Sequence, residues 1–425
     1  WQSSIKNFNL KYDLKYYLND KIKLDFGVSS IYYKFNPGTI KPIDENSSIN
    51  FSQLDKKNAF EPSVYVEAEH QANPKLSFLY GLRFSMFYRL GASTVNLYQD
   101  NQAVTYNDQL KIYEKGVPIG TKTYGYNEVI TSFSNLEPRF STSYVLDEKA
   151  SVKASYNRMV QYLQLVSNTA SPTPLDIWTP SDQYIQPQIA DQVAVGYFRN
   201  FKDDMYSMEI ESFYKKVKNR IDYIDGADLI ANNAIEQVIL NGQLRAYGVE
   251  FMLRKNFGKL NGWIAYTLSN SEQQTPGRTP IESGINNGNW YKSGYHKLHN
   301  LAVTANYSWN PKWSFGGNFI LQSGQPVTFP NGQYQYQGLV IPSYGGRNED
   351  NLPLYHHLDL SATYVPKPDK RKGWQGEWVF SIYNIYNRKN AASISFRENQ
   401  TSGSNEAVKL SIFGAVPSVS YNFKF

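Results

Sequence analysis

Five histidines are the first residues in this chain that could do chemistry: His70, His296, His299, His356 and His357. His296 and His299 are three apart, a spacing that suits a helix, yet they fall at a strand entrance. His356 and His357 are adjacent and point to opposite faces of a strand. The chain has no Cys, and no clustered carboxylates stand beside these histidines, so no metal site is expected. Ser, His and acidic residues are plentiful, but no spacing isolates a hydrolytic triad. The expectation is a non-enzyme with no catalytic residue and no cofactor.

Aromatic side chains mixed with amides offer a different chemistry. Trp178 and Tyr184 share one stretch, Asn286, Asn287, Asn289, Trp290, Tyr291 and Tyr295 a second, and Tyr334, Tyr336, Tyr344 and Arg347 a third. Flat apolar faces beside hydrogen-bonding groups suit a sugar, a peptide or an aromatic chelate. The expected ligand-binding residues are therefore Trp178, Tyr184, Trp290, Tyr291, Tyr334, Tyr336 and Arg347. The plainer alternative is that these aromatics form an interfacial girdle or pack the loops.

The elements that must carry these loops show in the final stretch, Pro-Ser-Val-Ser-Tyr-Asn-Phe-Lys-Phe. Val419, Tyr421, Phe423 and Phe425 share one parity, and Ser418, Ser420, Asn422 and Lys424 the other. A period of two places the sets on opposite faces of a strand. A terminal Phe-Lys-Phe strand is an aggregation hazard in a soluble domain. It is ordinary in an outer-membrane barrel, where one parity meets lipid and the other the lumen. Composition agrees. Aromatics make up 15% of the 425 residues, with 34 Tyr, while mean hydropathy is −0.52. Those values conflict for a helical membrane protein and agree for a barrel with polar loops. No window has the ~18 uninterrupted apolar residues of a membrane helix. The net charge of +6 is spread among interspersed acids and bases, which is no nucleic-acid footprint.

The same alternation runs through the chain. The clearest case has Leu76, Phe78, Tyr80, Leu82, Phe84, Met86 and Tyr88 on one parity. Arg83 and Ser85 stand opposite, with Leu79 and Phe87 as exceptions. Leu82, Phe84 and Met86 are expected to face lipid, so Phe84→Arg should cost far more than Ser85→Arg. Short turns at Asn19, Asn73, Asp147, Asp203 and Asn310 alternate with long loops at 91–131, 162–188, 271–296 and 324–355. The reading gives about 15 antiparallel strands in a single all-β transmembrane barrel domain over 1–425. The strand at 377–386 is expected to continue through Ile394 and Phe396, and a short loop at Thr401, Ser402 and Gly403 to precede the last strand. Loops that long fit the extracellular face of a barrel whose periplasmic turns are short. The terminus is then periplasmic. Bacterial single-chain barrels have even strand numbers. The odd count predicts further strands upstream.

Several stretches, in order, resemble a known family. They are Glu137-Pro138-Arg139-Phe140-Ser141, Ala154-Ser155-Tyr156-Asn157-Arg158, Pro174-Leu175-Asp176-Ile177-Trp178, Tyr184-Ile185-Gln186-Pro187-Gln188 and Tyr247-Gly248-Val249-Glu250. Later come Gly262-Trp263-Ile264-Ala265-Tyr266, Ser323-Gly324-Gln325-Pro326, Leu354-Tyr355-His356-His357-Leu358-Asp359 and Tyr383-Asn384-Ile385-Tyr386-Asn387-Arg388. The series resembles the barrel of TonB-dependent outer-membrane receptors of the Bacteroidota type. The closing strand with Phe423 and Phe425 resembles the assembly signal of outer-membrane barrels. The resemblance implies a 22-stranded barrel with an N-terminal plug that engages TonB, neither plug nor first strands being present here. It implies energy-coupled import of a scarce nutrient, and it allows, without requiring, a surface lipoprotein lid as a further partner. A passive porin or secretion-associated barrel is the alternative, and an adhesin or barrel enzyme a third.

Overall fold

Turn chemistry sets the architecture. Asn19 Oδ1 accepts from the backbone of Lys21 and Ile22, both at 2.9 Å. Asn73 Oδ1 takes Lys75 N at 2.9 Å, Asp147 Oδ1 takes Lys149 N at 2.8 Å, and Asn310 Oδ1 takes Lys312 N at 2.8 Å. An Asx side chain that closes its own turn reverses the chain within a few residues, so the strands on either side pair at once.

A computed structural model of the chain describes residues 1–425 apart from 43, 45–49, 168–175, 369–372, 399–404 and 425. Phe425, Pro174, Leu175, Thr401, Ser402 and Gly403 of the sequence reading lie outside the described residues. The strands form one antiparallel sheet of 17. Two of these, Ser52–Gln53 and Tyr291–Lys292, are short additions at the long-loop end. The others run in chain order: β1 (Gln2–Asn19), β2 (Ile22–Ile40), β3 (Lys57–Asn73), β4 (Leu76–Leu90), β5 (Val129–Asp147), β6 (Ala150–Gln161), β7 (Gln188–Phe201), β8 (Tyr206–Tyr223), β9 (Ile239–Lys255), β10 (Leu260–Gln274), β11 (His299–Asn310), β12 (Trp313–Gln322), β13 (Tyr355–Tyr364), β14 (Gln375–Tyr383) and β15 (Val416–Lys424). Each pairs with the next. Among the described residues β1 and β15 are not paired with each other, and both are exposed throughout.

Register carries the alternation from strand to strand. Ser63 faces Ser85, which faces Asn135, and Tyr65 faces Arg83, which faces Glu137. The opposite parity is exposed at Val64, Val66, Leu82, Val193, Val195, Tyr247 and Val249. That outward apolar face is the one a bilayer would cover. Gly248 has a plain structural reason, since a Cβ there would come within 2.5 Å of Leu268 O on β10.

Two expectations change. Ser85 and Phe87 are both fully buried on the inward face of β4, so Ser85 is not a water-filled lumen position. The strand at 375–383 does not continue through Ile394 and Phe396. Asn384 and Asn387 take φ of 52° and 55°, a left-handed conformation that suits Asn and breaks the extended run. Buried Asn384 donates through Nδ2 to Arg388 O at 2.8 Å and accepts from Arg388 N at 3.0 Å. Ser393–Glu398 instead pairs with Asn405–Leu410 in a separate hairpin.

The largest apolar cluster lies among the long loops rather than in the wall. Leu54, Val104, Val166, Ile185, Val238 and Ile285, from five inter-strand segments, belong to it. Burying each such side chain contributes roughly 1.5–3 kcal/mol, so these loops fold together at the mouth of the sheet.

Candidate functional site

A second, smaller cluster lies on the inward face near the long-loop end: Tyr33, Phe35, Ala59, Phe87 and Tyr162. The chain leaves β6 at Tyr162 and folds inward. Tyr162 stacks on Phe87 at 4.8 Å, and its hydroxyl meets Ser85 Oγ at 2.9 Å and Asn135 Nδ2 at 3.0 Å. Leu163–Val166 then pairs with Ile177–Pro180 as a small ribbon. Lys57 Nζ donates to Thr179 Oγ1 of that ribbon at 2.9 Å. A 620 Å³ recess lies beside the ribbon, lined by Trp178, Tyr162, Leu163, Met159, Glu61 and Lys215 among others. The Glu61 carboxylate is answered by the Tyr33 hydroxyl at 3.1 Å and Arg83 at 3.6 Å.

Further out, four inter-strand segments enclose a recess of 310 Å³, with Gln102, Gln183, Tyr184, Glu236, Asn241 and Arg278 in its lining. Tyr184 donates to Asn96 O at 2.8 Å and meets Tyr98 edge-on at 5.3 Å. Glu236 Oε1 accepts from Tyr98 at 2.9 Å and from Asn96 Nδ2 at 3.2 Å. Burial, with Glu236 adding to it, raises the Tyr98 phenol above its ordinary range.

The remaining expected residues are spread over three places. Tyr291 donates its hydroxyl to buried Asp222 and Arg347 forms an ion pair with the same carboxylate, while Thr275 Oγ1 donates to it at 2.8 Å. Arg347 also reaches Asp225 at 2.6 Å and Tyr223 O at 3.0 Å. Burial, followed by the charge of Asp222, raises the Tyr291 phenol far above its ordinary value. Trp290 lies under the Arg245 guanidinium, 4.1 Å from its ring centre. Tyr334 and Tyr336 stand exposed on the hairpin Pro330–Tyr336 and Leu339–Tyr344. The fold thus brings Tyr291 and Arg347 together, sets Trp178 and Tyr184 each on a recess, and leaves Tyr334 and Tyr336 apart from both.

Residues 1–387 match the family described as TonB dependent receptor-like, beta-barrel. The chain belongs to this family. Its members are outer-membrane transport barrels rather than enzymes. No curated protein matches the chain in sequence. Solved structures with a similar fold include the ferric-catecholate import receptor Fiu from Escherichia coli K12, at 15% identity and TM-score 0.59, covering 99% of this chain and 55% of that one. The FrpB iron transporter from Neisseria meningitidis aligns at 14% identity and TM-score 0.58, with 99% and 56% covered. The ferripyoverdine receptor of Pseudomonas aeruginosa aligns at 13% and 0.57, with 99% and 48% covered. At such identity the likeness is one of fold, and this chain spans about half the length of those structures.

Within this receptor-like barrel the histidines have local partners. His299 Nδ1 meets Tyr266 at 2.8 Å, His356 Nδ1 meets Tyr386 at 2.7 Å, and His357 Nδ1 meets Asp359 at 2.8 Å. His296 is buried and accepts from Ser271 N at 3.2 Å. Among the described residues no group of three His, Cys, Asp or Glu could hold a metal ion. Asp222, Gln183 and Glu236 escaped the sequence reading. Asp222 and Glu236 depend on partners 50 or more residues away. Gln183 matters only as part of a recess that four distant segments enclose, and no local spacing announces any of them.

Proposed function

We propose that this chain supplies barrel wall, outer loops and ligand recesses to a TonB-coupled outer-membrane importer of the Bacteroidota type, taking up a glycan, peptide or metal chelate. One observation carries the reading: loops from distant strands interlock over the mouth. Asp55 N donates to Asn233 Oδ1 at 3.0 Å, Gln237 Nε2 to Gly116 O at 2.8 Å, and Arg278 Nη1 to Val104 O at 2.8 Å. A passive pore needs a water-filled opening there. A dome with recesses instead suits capture of a ligand that energy later releases inward. Trp178 and Tyr184 are the aromatics placed to touch it.

The open edges of β1 and β15 bear on completeness. Unpaired backbone groups in lipid cost several kcal/mol each, so further strands close the wall, about seven in a 22-stranded barrel. A plug inside it would be the part that TonB pulls. In this reading the long loops are extracellular, β15 ends in the periplasm, and a surface lipoprotein lid can sit on the loops. The test is uptake by cells that carry the complete polypeptide, with and without TonB. Uptake should cease without TonB while surface binding persists. Uptake indifferent to TonB, with steady conductance in planar bilayers, would favour the porin reading instead.

A further inference from the structure

The 310 Å³ recess carries a distinctive set of polar groups. Asn101 and Gln102, Gln183 and Gln186, and Asn241 line it from three parts of the chain. The amide nitrogens of Asn241 and Gln186 donate to Tyr184 O at 3.2 Å and Gln183 O at 3.4 Å, which leaves their oxygens as acceptors. A carboxamide offers two donors and an acceptor on one planar group. The buried Nε2 of Gln183 has no hydrogen-bond partner. Val104, Ile239, Leu240 and Pro276 supply the apolar walls.

The charges in the same recess restrict what can enter. Arg278 is spent: its Nε and Nη2 hold Glu282 Oε1 at 3.1 and 2.7 Å, and its Nη1 donates to Val104 O at 2.8 Å. Glu236 is held through Oε1 by Tyr98 and Asn96 and sets its carboxylate at the wall. An anionic chelate would meet a carboxylate and find no uncommitted cation. A peptide terminus carboxylate would meet the same obstacle. A ligand rich in neutral hydroxyls can donate to Glu236, accept from exposed Gln102, and lay its C–H faces on Leu240 and Pro276. The volume lies at the low end of the ~300–1,000 Å³ of small-molecule sites, which fits a short saccharide segment.

We propose that this recess binds a neutral saccharide, with Gln102, Gln183, Asn241 and Glu236 taking its hydroxyls. The assignment rests on the import reading above and deepens it by naming a ligand class unlike the iron chelates named for the matched receptors.

The experiment uses the complete polypeptide in outer-membrane vesicles. The probes are maltoheptaose, xylohexaose and mannohexaose, with a ferric tris-catecholate and tetra-alanine as competitors of other classes. At least one oligosaccharide should bind at millimolar concentration or below, with an affinity insensitive to salt. Gln102→Leu with Gln183→Leu should weaken it about tenfold, the loss expected from one or two hydrogen bonds. Gln335→Leu on the exposed hairpin should leave it unchanged. Binding of none of the three saccharides overturns the assignment. So does binding of the catecholate or the peptide that the same double substitution weakens. TonB-dependent uptake of each probe, measured in parallel, separates the two readings. Uptake of the catecholate would refute the saccharide and keep the importer. Saccharide binding without TonB-dependent uptake would keep the recess and refute the importer.

Discussion

Phe87 and Tyr162 stack with ring centres 4.8 Å apart and planes 5° apart, on the inward face of the wall. The contact holds the Leu163–Val166 and Ile177–Pro180 ribbon inside the mouth. It also explains why β4 carries a Phe where its alternation asks for a polar residue. Tyr162→Ala removes the stack and two hydrogen bonds and should cost about 3 kcal/mol. Tyr162→Phe removes only the hydrogen bonds and should cost about 1 kcal/mol. Protease cutting within the ribbon on intact cells should rise for the alanine variant and barely change for the phenylalanine one. Equal cutting in both would mean that the stack does not anchor the ribbon.

Asp222 is 4% exposed and gathers Tyr291, Thr275 and Arg347. These come from the end of β8 and from the two loops after β10 and β12, so one carboxylate ties three segments together. Arg347→Ala strands a buried charge, which typically costs about 3–5 kcal/mol. The effect should be local: faster hydrogen exchange in 275–298 and 323–354 with the wall unaffected. Arg347→Lys keeps the charge but cannot fork between Asp222 and Asp225, so exchange should be intermediate. Wall strands that loosen together with the loops would show that the network supports more than the mouth.

The wall was legible because its rule is local. Leu82 and Val195 follow a period of two, and Asn19, Asn73, Asp147 and Asn310 each close a turn with their own side chain. The mouth was not, because its order is long-range. Phe87 makes sense only once Tyr162 covers it, and Asp222 only once Arg347 arrives from 125 residues away. Trp178 and Tyr184 were singled out by residue type, yet the carboxamides beside Tyr184 have no periodicity to read. The break after Tyr383 was half visible. Asn384 and Asn387 are of the type that takes up left-handed turns, while Ile394 and Phe396 suggested a strand that runs on.

His296 gives the loops a pH dependence. It is buried, its Nδ1 accepts from Ser271 N, and burial, then Lys292, lowers its pKa below the usual 6.5, with Glu272 opposing. The unfolded loop takes up a proton before the folded one does. Stability is therefore present above the unfolded pKa and is lost as pH falls from it toward the depressed folded value. Protease sensitivity of 275–298 should rise as pH drops below ~6.5. His296→Asn, which keeps an acceptor but does not titrate there, should flatten that slope. A slope unchanged in the variant would assign the acid sensitivity to another group.

The strictest check on the outward face is a pair of neighbours on β7. Val195 is 55% exposed on the face that also carries Val193, while Ala194 points inward beside Ser155 and Phe213. Ser85 is a poor partner for the comparison because Tyr162 buries it, so an Arg there would be costly for reasons unrelated to lipid. Val195→Arg puts a guanidinium into hydrocarbon and should cost about 2–4 kcal/mol near the bilayer midplane, with Ala194→Arg costing much less. The measurement is reversible unfolding in phospholipid vesicles. In detergent micelles, where the charge can reach water, the gap should narrow. Equal losses at both positions in vesicles would mean that the exposed apolar face of this sheet is not the one lipid covers.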